Sequence, residues 1–260
     1  MVKVAVAGGT GQVSQEVIDA LLASKKHHIT ILSRKEAPTT TPLAPEIQWQ
    51  IVDYNDKGCL VEALRGTHTL LSFVQILSDP DQKAQKNLID AAIAAGVKRF
   101  APSEYGSVFD FENRRAIVVG GHEDSIMTLT TVADVAAVVA RAVDYEGTWP
   151  TTGGIRGNRV TFSQILEIGR RVRGCSFTVD KVKVEDLEAG NLKTSWGLEA
   201  VHGAVSEDQA SALLKAVSIG ILLSSTKGAW DISDELNQLF PDYEFTRIED
   251  FLANTWEGKP

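Results

Sequence analysis

The feature that most constrains the fold is a glycine-rich turn near the start of the chain. An apolar run at residues 2–7 (VKVAVA) precedes Gly8-Gly9-Thr10-Gly11, and an amphipathic stretch at residues 13–23 follows. A strand, a glycine-rich turn and a helix start in this order place backbone N–H groups at a helix N-terminus, where the helix dipole favours a phosphate. The position of the turn between the two elements predicts a dinucleotide site, and the alternative is a plain strand-to-helix turn.

Each small residue of this turn has an expected task. Gly8 allows the tight turn and Gly11 lets the backbone approach a pyrophosphate, while Ser14 stands where the third glycine of the usual spacing would be. The residues expected at the pyrophosphate are Gly8, Gly9, Thr10, Gly11, Gln12 and Val13.

The end of the second predicted strand indicates which cofactor would bind. Residues 28–33 (HITILS) read as a strand that ends at Ser33 and is followed by Arg34-Lys35. An NAD site usually has a carboxylate at this point for the ribose 2′-hydroxyl, but the first one here is Glu36, behind two cations. The planar fork of Arg34 can clamp a 2′-phosphate, and Lys35 adds a point charge. The sequence therefore favours NADP over NAD, against the alternative of a solvated basic strand end.

Strands and helices alternate through the first 106 residues. This rhythm predicts an α/β fold, a Rossmann-like doubly wound parallel sheet over residues 1–106, with a smaller α+β lobe over residues 107–260. Ligands of such sheets bind beyond the carboxyl ends of the strands. The expected strands cover residues 2–7, 28–33, 47–52, 69–74 and 97–101, and the intervening helices cover 13–23, 57–65 and 79–95. The residues expected at the binding edge are Ser33, Asp53, Ser72, Phe73, Val74, Ser103 and Glu104.

The C-terminal lobe is predicted to be rich in helices. Four helix starts have a hydroxyl residue followed three positions later by an acidic or amide residue, which is the spacing of a capping box. These pairs are Thr131 with Asp134, Thr161 with Gln164, Ser206 with Gln209, and Thr246 with Glu249.

Composition limits the classes of partner. A formal charge of −8 and a pI near 5.2 argue against nucleic acid and anionic membranes. Cys59 and Cys175 form no C-x-x-C pair, so we expect buried thiols in a reducing compartment. The chain shows no charged and apolar leader, and its apolar stretch at residues 216–223 is too short to span a bilayer. These features predict a cytoplasmic protein that acts on a small molecule and holds no metal.

Several segments resemble a known family. Residues 4–13, Ser33-Arg34 and above all residues 95–106 (AGVKRFAPSEYG) resemble the NmrA-like and isoflavone-reductase-like branch of the atypical short-chain dehydrogenases, and residues 116–173 and 240–252 extend the likeness. The resemblance implies a Rossmann domain that binds NADPH and a small substrate lobe. By position, it implies that Arg34 holds the 2′-phosphate, that Phe73 and Val74 lie near the nicotinamide, and that Ser103 lines the junction of cofactor and substrate.

The chain departs from that family in one respect. In the reductases of that family, several dozen residues follow the P-S-E-[FY]-G motif before the next strand, and they include a lysine thought to act as the acid–base residue. Here only residues 107–115 separate the motif from the strand predicted at residue 116. No lysine lies between Lys98 and Lys181. No Tyr-x-x-x-Lys dyad is present either. The catalytic residue is therefore unknown. The available proton donors are Glu104, Tyr105 and His122, each of which also has an ordinary structural explanation.

Three hypotheses remain open. The first is an NADPH-dependent oxidoreductase that reduces a small aromatic or polyketide-like secondary metabolite. The second is a non-catalytic NAD(P)-binding regulator that senses redox state. The third is a truncated or splice form of an active reductase. In each case the missing segment is expected to leave the fifth strand at an edge of the sheet.

Overall fold

The structure is a computed structural model of the 260-residue chain. It describes residues 2–38, 43–74, 79–102, 109–198, 207–257 and 259. By backbone proximity the described residues fall into two compact units. The first takes residues from 1–105 together with 135–149, and the second takes them from 106–134 and 150–260. The domain boundary expected at residue 106 stays a prediction.

The first unit is built on a five-stranded sheet in which every neighbouring pair is parallel. The strands are β1 (Val2–Ala7), β2 (His27–Ser33), β3 (Ile47–Ile51), β4 (Thr69–Ser72) and β5 (Arg99–Ala101). Their order in the sheet is β3-β2-β1-β4-β5, so the chain starts at the centre and the order reverses between β1 and β4. The fifth strand lies at an edge of this sheet, as expected.

Helices cover both faces of this sheet. Alternate residues of β1 point to opposite sides: Val4 and Val6 pack in one core, and Ala5 and Ala7 in another. The Val4 side packs against α1 (Gln12–Ser24) and α4 (Val132–Asp144), whose Val17, Ile18 and Val143 belong to that core. The Ala5 side packs against α2 (Lys57–Ala63) and α3 (Lys83–Ala95). The predicted doubly wound Rossmann-like fold is therefore confirmed.

The second unit combines small sheets and helices. The strands are β6 (Phe109–Asp110), β7 (Arg115–Val119), β8 (Ile126–Leu129), β9 (Asn158–Thr161) and β10 (Thr178–Val182). One sheet has the order β10-β7-β6 and the other pairs β8 with β9. The core of the second unit centres on β7, whose Ala116, Ile117, Val118 and Val119 are almost fully buried. The helices are α5 (Phe162–Arg173), α6 (Val184–Glu188), α7 (Glu207–Thr226), α8 (Glu235–Leu239) and α9 (Ile248–Trp256).

Some element boundaries differ from expectation. The fifth strand begins at Arg99 and not at residue 97. The third helix begins at Lys83 and not at residue 79, because Asp81 (φ +58°) and Gln82 (φ +55°) have left-handed backbone conformations that cannot continue a right-handed helix. The Asp79 carboxylate accepts hydrogen bonds from the first-turn N–H groups of Ala84 (2.6 Å) and Gln85 (3.0 Å). Cys59 and Cys175 are free thiols but only half-buried, so the expectation of burial was wrong.

Among the described residues, no helix is long and apolar enough to cross a membrane. The same part of the chain contains no group of three or more His, Cys, Asp or Glu side chains arranged to hold a metal ion.

Candidate functional site

The glycine turn is fixed in place by the end of β4. Gly8 has φ +73°, and a Cβ there would lie 2.6 Å from the carbonyl oxygen of Phe73 and 3.1 Å from the Val74 nitrogen. Any larger residue would therefore be strained and would also displace the end of β4. The Phe73 N–H donates to the Ala7 carbonyl (2.8 Å), which ties the same two segments together. The turn after β1 and the end of β4 thus form one surface at the carboxyl edge of the sheet.

Ser14, which stands in place of the third glycine, stabilises this turn by hydrogen bonds. Ser14 is fully buried, and its Oγ lies 2.9 Å from the Gly8 carbonyl oxygen and 2.8 Å from that of Gly11. A Cβ on Gly11 would meet nothing closer than 3.5 Å, so packing within the protein does not require a glycine there. Gly11 is the N-cap of α1. Because glycine has no side chain, it cannot accept a hydrogen bond from the first-turn N–H groups of this helix.

Two cations stand at the end of β2. Arg34 and Lys35 are both exposed, and within the described residues the Arg34 guanidinium forms no hydrogen bond or ion pair. The backbone here is held more firmly than the side chains. The Ser33 Oγ accepts a hydrogen bond from the Lys35 N–H (3.0 Å), and the Trp49 indole Nε1 donates to the Lys35 carbonyl (2.8 Å). This part of the site is a fixed turn that presents an unpaired guanidinium.

Tyr54 belongs to this site, and sequence reasoning did not identify it. Its hydroxyl donates to the Leu32 carbonyl (2.8 Å) at the end of β2 and contacts the backbone of Gly8, while Arg34 lies close enough to act on its charge. Burial raises the pKa of Tyr54 to about 12, against the smaller opposing effects of Gly8 and Arg34. The phenol therefore stays protonated at neutral pH and links the glycine turn to the basic strand end. The available signal was an aromatic residue two positions after the third predicted strand.

The other predicted residues lie at the same edge but face different surroundings. Asp53 is exposed, and its Oδ1 accepts from the Asn55 N–H (2.8 Å). Ser72 is buried and its Oγ donates to the Gln85 Oε1 (2.7 Å) on α3, whereas Val74 is half-buried. Ser103 lies outside the described residues.

The structure describes one of the three possible proton donors. His122 lies in the second unit, in the turn after β7, where its N–H donates to the Val119 carbonyl (3.0 Å). Lys181, the first lysine after Lys98, is exposed and pairs with Glu123 at 3.0 Å. Glu104 and Tyr105 lie outside the described residues.

Comparison with known proteins gives a family match over part of the chain. Residues 2–123, just under half of the 260 residues, match the model of the NmrA-like family. Over 113 residues it is 40% identical to the oxidoreductase BOA1 of Botryotinia fuckeliana, a match that covers 42% of this chain but only 37% of that protein.

A second relative aligns along the whole chain. The oxidoreductase swnN of Metarhizium robertsii is 24% identical over 344 positions that include 100% of this chain and 98% of the relative. Because this chain has 260 residues, the relative has stretches without a counterpart here.

Solved structures show the same fold. The NADPH-dependent quinone oxidoreductase QOR2 of Escherichia coli, solved with NADPH, superposes with a TM-score of 0.66 at 21% identity, over 98% of this chain and 100% of that one. At this identity the likeness establishes the fold alone.

Proposed function

We propose that this chain is an NADPH-dependent reductase whose substrate is a small aromatic or polyketide-like secondary metabolite. The observation that carries the proposal is the pairing of the braced glycine turn with the unpaired Arg34 at one edge of the sheet. Relatives named as oxidoreductases and a similarly folded quinone oxidoreductase solved with NADPH support the same activity. Localisation in the cytoplasm is part of the same proposal.

The arrangement of residues suits the parts of NADPH. Residues 8–13 surround the N-terminus of α1, where N–H groups and the helix dipole favour a pyrophosphate. Arg34 and Lys35 are exposed, and their side chains can donate hydrogen bonds to the oxygens of the 2′-phosphate. Asp53 at the end of β3 would lie near the adenosine half, and Ser72, Phe73, Val74 and Ser103 near the nicotinamide half. When bound, NADPH supplies a hydride to an electrophilic carbon.

A second candidate function follows from the residues that are missing. Reduction of a carbonyl also needs a proton for the acceptor oxygen, and no lysine lies between Lys98 and Lys181. A chain that binds the nucleotide without chemistry would act as a redox-sensing regulator. A shortened form of a longer reductase would behave in the same way in solution.

Cofactor choice is tested with Arg34→Ala. This change removes a charge-assisted contact to the 2′-phosphate worth about 1.5–3 kcal/mol, so NADPH should bind about 10- to 100-fold more weakly while NADH changes little. Calorimetric titration of both nucleotides measures the difference. The matched control is Arg65→Ala, because Arg65 is an exposed arginine of the same unit that pairs with Glu62. Equal losses for the two nucleotides, or a preference of the wild type for NADH, would contradict the proposal.

A further inference from the structure

We propose that Trp49 is a positioning residue for cofactor selectivity, because its indole holds the basic turn (residues 33–35) in the conformation that presents Arg34 to a 2′-phosphate. The inference rests on the proposed function, since it assumes that NADPH is the nucleotide. Nothing in the sequence pattern assigns this task to a tryptophan on the neighbouring strand.

The basic turn is held by side chains on both sides of Arg34. Before it, the Tyr54 hydroxyl donates to the Leu32 carbonyl (2.8 Å). After it, Lys35 is held twice: its N–H donates to the Ser33 Oγ (3.0 Å), and its carbonyl accepts from the Trp49 Nε1 (2.8 Å). Within the described residues the Arg34 side chain has no hydrogen bond or ion pair, so its position depends on this backbone.

Trp49 is well placed to transmit rigidity. It lies in β3, at the edge of the first sheet, and pairs in register with Ile31 of β2. Its ring packs against the core that contains Val4, Val6 and Ile18. One side of the indole is therefore anchored in the core, and its N–H reaches four residues beyond the paired position to Lys35.

Preorganisation explains why one hydrogen bond at this point would affect selectivity. A long arginine side chain loses rotamer freedom when it clamps a phosphate, and a mobile backbone beneath it would add to the ordering cost. NADH carries no 2′-phosphate, so its binding does not depend on a contact with Arg34. Loss of the Trp49 bond should therefore weaken NADPH and leave NADH unchanged, whereas a tryptophan that only packed would affect both nucleotides or neither.

The first test is Trp49→Phe, which keeps an aromatic ring and removes the N–H. We expect NADPH to bind about three- to tenfold more weakly, with NADH changed less than twofold. The matched control is Trp149→Phe in the same unit, where the indole donates to the Ala142 carbonyl (2.7 Å) at the end of α4. This control should leave the ratio of the two affinities unchanged.

The second test asks whether Trp49 acts through Arg34. In an Arg34→Ala background, Trp49→Phe should cause no further loss of NADPH affinity, because the group that it positions is gone. Ser33→Ala, which removes the other hold on Lys35, should lower the affinity ratio in the same direction as Trp49→Phe. Thermal melts of every variant identify any that fails to fold, and Ser33→Ala then provides the measurement in its place.

The outcomes separate the two proposals. If the wild type binds NADPH and the losses from Trp49→Phe and Arg34→Ala add, or if NADH weakens as much as NADPH, the positioning role of Trp49 is wrong and the proposed function stands. If the wild type binds neither nucleotide, or prefers NADH, the proposed function fails and the role of Trp49 fails with it.

Discussion

At the scale of single residues, one phenol connects the parts of the proposed nucleotide site. The Tyr54 hydroxyl joins the end of β2 to the glycine turn, and the Tyr54 carbonyl accepts from the buried Asn87 Nδ2 (2.8 Å) on α3. A tyrosine hydroxyl is protonated at neutral pH, and because burial raises the pKa of Tyr54 to about 12, this donor also persists in mildly alkaline solution. A substitution of Tyr54 should therefore affect both the glycine turn and the end of β2.

Tyr54→Phe should lower stability and nucleotide affinity together. The substitution leaves the buried Leu32 carbonyl without its donor, which costs about 1–3 kcal/mol of unfolding free energy. NADPH and NADH should weaken equally, since the glycine turn serves both nucleotides. Urea denaturation and calorimetry measure the two effects.

The control for this prediction is Tyr243→Phe. Tyr243 belongs to the second unit, and its hydroxyl donates to the buried carboxylate of Asp134 (2.8 Å). This variant should lose stability without a change in nucleotide affinity. A Tyr54→Phe protein that binds both nucleotides as the wild type does would show that the phenol has only a structural role.

Sequence could identify residues whose task is local. The glycine turn follows from the spacing of Gly8 and Gly11, and the basic strand end follows from Arg34. It could not identify Tyr54, or foresee that Ser72 bonds to Gln85 on α3, because both contacts depend on how distant segments pack. A pattern along the chain carries no information about the partner across the fold.

At the scale of elements, the helix starts show the same difference between local contacts, which the sequence predicts, and long-range contacts, which it does not. The capping box at Thr161 and Gln164 is present: the Thr161 Oγ1 accepts from the Gln164 N–H (3.1 Å), and the Gln164 Oε1 accepts from the Thr161 N–H (2.8 Å). Both bonds are local, so spacing was sufficient to predict them. At Thr131 only half of the box forms, since its Oγ1 accepts from the Asp134 N–H (3.1 Å) while the Asp134 carboxylate bonds elsewhere.

The capping box predicted at Thr246 and Glu249 was wrong. The helix begins at Ile248, and its N-cap is Arg247. The Thr246 N–H (3.1 Å) and hydroxyl (3.2 Å) both donate to the buried Asp134 carboxylate, and Glu249 pairs with Arg171. Partners that are distant in the chain outcompete the local cap. Ser206, of the remaining predicted pair, lies outside the described residues.

One side chain joins β5 to α4 in the first unit. The Arg99 guanidinium lies 5.0 Å from the centre of the Trp149 ring and donates to four backbone carbonyls, those of Ala142 (3.1 Å), Val143 (3.3 Å), Tyr145 (2.6 Å) and Gly147 (2.7 Å). Carbonyls at the end of a helix have no intrahelical partner, and a cation there also complements the helix dipole. Arg99 therefore caps α4 from the neighbouring strand.

Arg99→Lys should be costly although it keeps the charge. A lysine has one ammonium group and cannot reach four carbonyls as the planar guanidinium does, so we expect a loss of about 2–3 kcal/mol in the free energy of unfolding. Urea denaturation of the variant and wild type provides the measurement. Arg65→Lys, at an exposed pair with Glu62, is the control and should leave the stability unchanged within error, because solvent screens that pair. Equal stability of the Arg99→Lys protein and the wild type would contradict the capping role.

At the scale of the whole molecule, the chain retains a Rossmann-like fold with fewer residues than its relatives. It superposes on nearly all of QOR2, yet its alignment with swnN leaves stretches of the relative unmatched. The first unit contains all five strands of the Rossmann-like sheet, from β1 to β5. The resemblance implies that the segment with the acid–base lysine is missing from this chain, since no lysine lies between Lys98 and Lys181. We therefore expect nucleotide binding to persist without efficient chemistry.

We expect measurable binding of NADPH with slow reduction of quinones and enones. General acid–base assistance is worth about 10²–10⁴-fold, so turnover should fall below that of a longer NmrA-like reductase assayed in parallel by about this factor, while hydride positioning survives. Loss of NADPH absorbance measures the rate, and calorimetry measures the binding. If residual activity is present, His122→Ala and Tyr105→Phe identify a substitute proton donor, and His28→Ala, at an exposed histidine of β2, is the control. Turnover as fast as in the longer reductase, unchanged by either substitution, would mean that the missing lysine is not needed, because the proton would then reach the acceptor oxygen from water or from another group.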